Sequence, residues 1–188
     1  MKKLKNGLCL TVFLSLCFSS ATYADSIIEL GAHFGGDELI PESYENGRKD
    51  SIRSGGLFSF DFGRLFHLSN SWETQWTFGL KSDAIYDKDL EVSWVRYPLN
   101  GLLFYRMTDA RVGIGATMHF LPKLKGSGVA SNITEEFEDA PGALLELDIV
   151  HSEKFLWGVR LTFIEYESKK TGRVVNGSSI GFLIIAQL

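Results

Sequence analysis

His67-Leu68-Ser69-Asn70 puts an imidazole base and a hydroxyl nucleophile two residues apart, the residue types from which acyl-transfer chemistry is built. Such a pair works only when base and hydroxyl lie in hydrogen-bond reach of each other and of a substrate. Leu68-Ser69-Asn70 has the composition of a polar turn, and a turn is the expected reading. His33 and His119 are the other candidates, as a metal pair or a base. A single imidazole in a polar interior is a hydrogen-bond partner more often than a ligand. No zinc spacing, Gly-rich phosphate loop or Walker-like motif occurs. The expectation is no catalytic set, no metal, no cofactor and no enzyme.

The charged residues follow a different spacing. In Ser71 to Lys81, SWETQWTFGLK, Trp72, Thr74, Trp76, Phe78 and Leu80 share one parity, and Glu73, Gln75, Thr77, Gly79 and Lys81 the other. Successive side chains of a strand point to opposite faces, so this segment has an apolar face and a charged one. The same alternation opposes Ile28, Leu30, Ala32 and Phe34 to Glu29, and Phe58, Phe60 and Phe62 to Asp61. It opposes Val112, Ile114 and Met118 to Arg111, Leu145, Leu147 and Ile149 to Glu146 and Asp148, and Trp157, Val159, Leu161 and Phe163 to Arg160. Glu29, Asp61, Glu73, Lys81, Arg111, Glu146, Asp148 and Arg160 therefore share the polar face, five acids against three bases, or five with Arg96 and Arg106, and are expected to pair there as a network.

Turn signals cut the chain into strand candidates at 26–36, 53–67, 71–85, 90–106, 110–122, 142–151, 155–167 and 175–188, eight in all. Tight connections (68–70, 107–109, 152–154) alternate with longer ones (37–52, 123–141, 168–174), with 86–89 a modest exception. That order describes a meander with short turns at one end and long loops at the other. Met1 to Ala24 reads as a secretory signal peptide: Lys2, Lys3 and Lys5, an apolar run from Leu8 to Phe18, and Thr22-Tyr23-Ala24 before Asp25. Both cysteines, Cys9 and Cys17, fall in it, so disulfides are not what stabilises the remainder. Loss of its lysines takes the formal charge from −4 to −7, too acidic for wrapping nucleic acid. Residues 25–188 then form one domain.

Two features place the apolar parity in lipid rather than in a soluble core. Glycines crowd the polar face (Gly31, Gly63, Gly79, Gly113, Gly115, Gly158), as a narrow lumen filled by selected long polar chains requires. Aromatic residues gather near strand ends: Phe66, Trp72, Phe155 and Trp157 by the short turns, and Phe34, Trp94, Phe120 and Phe163 toward the long loops. Two girdles flanking an apolar band are the pattern of a barrel in a bilayer. The expected fold is all-β, an eight-stranded antiparallel up-and-down transmembrane β-barrel. Segment 90–106 changes parity, with Val92 and Trp94 on even positions but Val95, Tyr97, Leu99, Leu103 and Tyr105 on odd ones. A bulge near Trp94–Pro98 would switch the faces, with Arg96 and Arg106 turned to the lumen.

On these grounds 25–188 resembles the small eight-stranded outer-membrane barrels of Gram-negative bacteria, which include the membrane domain of OmpA, OmpX, OmpW, and the lipid A palmitoyltransferase and deacylase. The resemblance is one of architecture. It implies outer-membrane localisation, a monomer, and outer-membrane lipids, lipopolysaccharide and the barrel assembly machinery as partners. Such chains often end in an aromatic residue; this one ends Ile185-Ala186-Gln187-Leu188, though the Phe182/Ile184/Leu188 parity is kept. The deacylases carry a His-x-Ser-Asn motif on the penultimate strand near the outer leaflet. Here the matching triplet ends the second strand at a short turn, and Arg160 to Tyr166 contains no His or Ser. A structural or surface-interaction barrel with a charge-plugged lumen is the leading expectation. An OmpW-like conduit for small or hydrophobic molecules and a lipid A-modifying enzyme are the alternatives.

The long loops add an acidic run, Glu135-Glu136-Phe137-Glu138-Asp139, read as solvated loop with cation or partner binding as the sharper option. Arg48, Lys49, Arg53, Lys169, Lys170 and Arg173 lie near the same end, placed for contact with lipopolysaccharide phosphates.

Overall fold

A computed structural model describes residues 23–41, 51–87, 90–128, 131, 133–152 and 154–188. The strands are β1 (Tyr23–Gly35), β2 (Glu38–Pro41), β3 (Ser51–Arg53), β4 (Leu57–His67), β5 (Trp72–Asp87) and β6 (Leu90–Arg106). They continue as β7 (Ala110–Gly128), β8 (Thr134–Glu136), β9 (Ala140–Val150), β10 (Phe155–Glu167), β11 (Val174–Asn176) and β12 (Ser179–Gln187). Eight of these are staves: β1, β4, β5, β6, β7, β9, β10 and β12 pair in that order, all antiparallel. β1 then pairs with β12 from Ile27↔Gln187 to Gly35↔Ser179, which closes the barrel and leaves no free edge among the staves. The hairpin β2–β3 and the short β8 and β11 extend the long-loop end.

The tight connections fall together at the other end. Leu68 and Ser69 donate backbone N–H groups to Trp72 O at 2.9 and 3.1 Å, Met107 N to Ala110 O at 2.8 Å, and His151 N to Phe155 O at 3.0 Å. The expected signal peptide lies outside the described residues except for Tyr23 and Ala24, which begin β1.

Outward-facing side chains are large, apolar and open. Phe58 is 63% exposed, Phe62 57%, Ile114 63%, Ile149 58%, Phe163 50% and Phe182 54%. A continuous belt of this kind cannot face water without a large hydrophobic cost, whereas a bilayer accepts it. Aromatic pairs stiffen it, with Trp72 and Tyr105 at 5.3 Å beside the short turns and Phe34 and Phe182 at 6.4 Å toward the loops.

The parity switch expected in 90–106 does not occur. β6 keeps one parity throughout: Val92, Trp94, Arg96, Pro98, Asn100, Leu102 and Phe104 are all buried. The irregularity lies across the ladder on β7, where the register slips between Val95↔Lys123 and Tyr97↔Phe120. Leu121 there adopts φ +50°, a left-handed conformation that takes up one extra residue. Inward positions on β7 therefore run Arg111, Gly113, Thr117 and His119 below the bulge, then Pro122, Leu124 and Gly126 above it. Val92 and Trp94 face inward because the long-loop end of the barrel has its own apolar interior.

Gly113 shows how tightly the interior is filled, since a Cβ there would sit 2.5 Å from the Phe104 ring. Gly113→Leu should displace that ring and lower stability by about 1–3 kcal/mol. Urea unfolding of the vesicle-inserted protein, with an unchanged midpoint as the contrary result, checks this.

Candidate functional site

The lumen is built in layers, each set by the inward parity of the staves. Arg160 on β10 is the hub of the first. Its Nη2 lies 3.0 Å from Glu29 Oε2 on β1, and its Nε donates to Glu146 Oε2 on β9. Arg160 and Glu146 are register partners, whereas Glu29 reaches Arg160 past the intervening stave β12. Arg111 on β7 organises the second layer: Nε donates to Asp148 Oδ2 at 2.7 Å, Nη1 to Glu73 Oε2 at 3.3 Å, and Nη2 to Gln75 Oε1 at 2.8 Å. Gln75 joins the layers by donating its amide to Glu29. The Arg111 guanidinium also lies 4.0 Å from the centre of the Phe104 ring, a cation–π contact. Arginine suits both places because its planar fork reaches several carboxylates at once.

Toward the short turns, Glu73 Oε1 also accepts from Arg106 Nη1 at 2.8 Å and lies 3.1 Å from His67 Nδ1. His67 Nε2 lies 3.0 Å from Asp25 Oδ2, so this imidazole is held between two carboxylates. Ile27, Leu65, Leu156, Leu183 and Ile185 fill the rest of that end.

Above the arginines lies a small polar chamber lined by His33, Ser59, Asp61, Lys81, Asn100 and His119, with a cavity of about 10 Å³. That is room for roughly one water-sized sphere. His33 Nε2 and Ser59 Oγ are 2.8 Å apart, Lys81 Nζ donates to Ser179 Oγ at 3.3 Å, and Asn100 Nδ2 donates to Thr77 Oγ1 at 3.1 Å and Asp61 Oδ1 at 3.5 Å.

The long-loop mouth is closed by rings. Trp94 stacks edge-on against Phe137 at 5.1 Å and Tyr166 at 5.3 Å, within a buried cluster that includes Ile52, Val92, Leu124 and Val175. Trp94 Nε1 donates to Ser54 O at 2.9 Å, and Arg96 lies beneath the indole at 5.2 Å with Nη2 on Gly56 O. Tyr166 OH meets His119 Nδ1 at 2.6 Å, tying the seal to the chamber. Outside the wall, Lys123 Nζ donates to Glu136 Oε1 at 2.7 Å and holds that carboxyl below its usual range.

The residues singled out by sequence divide as follows. Glu29, Asp61, Glu73, Lys81, Arg111, Glu146, Asp148 and Arg160 are all buried in the lumen, but Asp61 and Lys81 bond to amide and hydroxyl groups instead of joining the ion pairs. Phe155 and Trp157 face outward and exposed near the short turns, with Trp72; Phe66 and Phe120 are half-buried on the outer face. Trp94 corrects the outer girdle, being fully buried inside the mouth, because the bulge lies on β7 and leaves β6 in phase. His67-Leu68-Ser69-Asn70 forms no nucleophile–base pair: His67 faces carboxylates, and Ser69 Oγ accepts from Trp72 N at 3.1 Å within the turn. His33 and His119 line the same chamber with separate hydroxyl partners. Arg48 and Lys49 lie outside the described residues.

Asn100, Phe137 and Tyr166 are lumen residues outside the set singled out from sequence, and Gln75 is one on the polar parity read with Glu73. Gln75 and Tyr166 were readable from parity with Glu73 and Arg160; Phe137 was not, since it lies in an irregular segment. Arg64, exposed on the outer face, interrupts the outward series Phe58, Phe60, Phe62 and Phe66.

With closure, the outward apolar belt and the inward ion pairs in place, comparison with solved structures gives the class. The fold is that of a small outer-membrane barrel. Ail, the attachment invasion locus protein of Yersinia pestis, solved with the heparin analogue sucrose octasulfate, superposes with a TM-score of 0.54 at 12% identity, covering 87% of this chain and 96% of that one. Neisserial surface protein A matches with a TM-score of 0.52 at 6% identity, over 88% of this chain and 97% of its own. No protein-family model matches the sequence, and no curated protein matches it.

The barrel's ion pairs are desolvated, so removing one member should cost more than removing a surface pair. Arg160→Met leaves Glu29 and Glu146 facing each other's charge and should destabilise by roughly 3–5 kcal/mol. Arg160→Met combined with Glu29→Gln and Glu146→Gln should recover most of that loss. Denaturant unfolding of the three proteins measures it, and equal stability of the single and triple variants would contradict the coupling.

Proposed function

We propose that this chain is an outer-membrane barrel whose lumen is a structural core and whose work is done by the surface its loops present. The observation that carries this reading is the continuous filling of the interior. Apolar side chains occupy the short-turn end, two arginine-centred networks the middle, and the Trp94–Phe137–Tyr166 rings the far mouth. An eight-stranded barrel is only wide enough for its side chains to fill, so a stable solute path would have to displace these groups. The short turns face the periplasm and the long loops the exterior, as in barrels of this class. His33 and His119 lie within the sealed interior, which disfavours a lipid A-modifying role, since lipid is outside the wall.

The exterior rim is acidic along one side, where Glu135, Glu136, Glu138, Asp139, Glu165 and Glu167 are gathered on β8, the segment after it and β10. A polyanion of the kind bound by Ail is therefore disfavoured on that side. Lys169, Lys170 and Arg173, in the turn between β10 and β11, give the rim a basic spot that suits lipopolysaccharide phosphate. Insertion by the barrel assembly machinery as a monomer accords with the closed ladder and the apolar outer belt.

The protein should fractionate with outer membranes and migrate as a compact species on gels until boiled. Recovery in the soluble periplasmic fraction would overturn the localisation. In planar bilayers the unaltered protein should show no steady conductance, while Trp94→Ala with Phe137→Ala should open brief or noisy currents by emptying the mouth. A large ion-selective conductance from the unaltered protein would favour transport instead.

A further inference from the structure

We infer that Arg64 forms a binding site for the phosphate of a phospholipid in the leaflet on the short-turn side of the barrel. Arg64 lies on β4 with its side chain outward and exposed. It is flanked along the strand by Phe62 and Phe66 and, across the ladder, by its register partners Ser26 on β1 and Trp76 on β5. Every other outward position of the apolar belt between the short turns and the loop rim is apolar, a hydroxyl or glycine among the described residues. The Arg64 side chain makes no hydrogen bond or ion pair among the described residues.

A charged side chain on the lipid face is costly at the bilayer centre and nearly free at the interface. Arg64 lies four residues before Leu68, where the turn begins. At the rise and tilt of barrel strands that is roughly 10 Å above the turn, just inside the ring made by Phe66, Trp72 and Tyr105. From there the flexible stem carries the guanidinium down to the headgroups, where a phosphate meets its fork with two charge-assisted hydrogen bonds. The Trp76 ring lies over Gly101 on β6, with Cζ3 at 2.8 Å from where a Cβ would be, so it is turned away from Arg64 on β4.

A second copy of this chain fits the cation poorly. No outward carboxylate lies within the belt among the described residues, so two barrels packed wall to wall would bury Arg64 against apolar side chains. A lipid phosphate supplies the missing charge without burying it.

The site rests on the membrane-spanning reading, and its test begins with protein already inserted in vesicles and heat-modifiable on gels, so failure at that step counts against the barrel and not against the site. The full-length protein, Arg64→Gln and Arg64→Lys are each transferred to detergent with phosphatidylglycerol and analysed by native mass spectrometry. Retained phosphatidylglycerol should fall roughly tenfold in Arg64→Gln, the loss implied by one charge-assisted contact, and be largely kept in Arg64→Lys. Diacylglycerol, which lacks the phosphate, should be retained weakly and equally by all three. Equal phosphatidylglycerol retention by the unaltered protein and Arg64→Gln would overturn the site, as would diacylglycerol retention matching that of the phospholipid. Crosslinking from position 64 to an acidic protein segment in native membranes, in place of lipid, would also overturn it.

Discussion

The structure depends on one constraint: in a bilayer no water satisfies backbone N–H and C=O groups, so the sheet must bond to itself all the way round. The β1–β12 ladder meets that demand. Once the ladder closes at eight staves, the interior is fixed at a width that side chains must fill. The inner parity then has to be chosen for fit, and the outer parity for lipid. Small inward residues such as Gly113 and large ones such as Phe104 and Arg111 are two halves of one packing solution.

Filling that interior with ions instead of hydrocarbon is not the most stabilising choice, because desolvating charge offsets much of the Coulombic gain. It does define register. A strand slipped by one residue would turn Glu29, Glu73 or Arg160 into lipid and bring its apolar residues inward. The inward charges thus penalise every wrong pairing of the staves heavily. Arg111 and Arg160 each reach carboxylates on other staves, so a correct register on one strand supports that on others.

The two ends solve different problems. At the short turns the strands stop almost at once, and His67, Arg106 and Asp25 mix ions with the apolar residues that finish the lumen. At the other end the strands continue past the apolar belt, and a soluble-like core forms inside them around Trp94, Phe137 and Tyr166. Outside that core the wall is polar, with Lys123 and Glu136 paired across β7 and β8. The bulge at Leu121 marks the level where this upper part begins.

Strand number, alternation and the sorting of charge to one face are local properties, and the chain states them residue by residue: in SWETQWTFGLK the pattern needs no partner to be seen. Arg64 was legible in the same way, as a cation on the parity of four phenylalanines. The placement of Trp94 was not legible from 90–106, because the parity of one strand says which residues face together but not whether they face lipid or lumen. The choice followed from β6 running without a bulge, in phase from Asn100 and Arg96 to Trp94, while the extra residue sits in the neighbouring strand at Leu121. Pairing was equally hidden. The sequence brings Glu29 and Arg160 no closer than opposite ends of the chain, and only closure of the barrel sets them 3.0 Å apart. Distances across a lumen depend on stagger and tilt summed over every stave, which no single segment encodes.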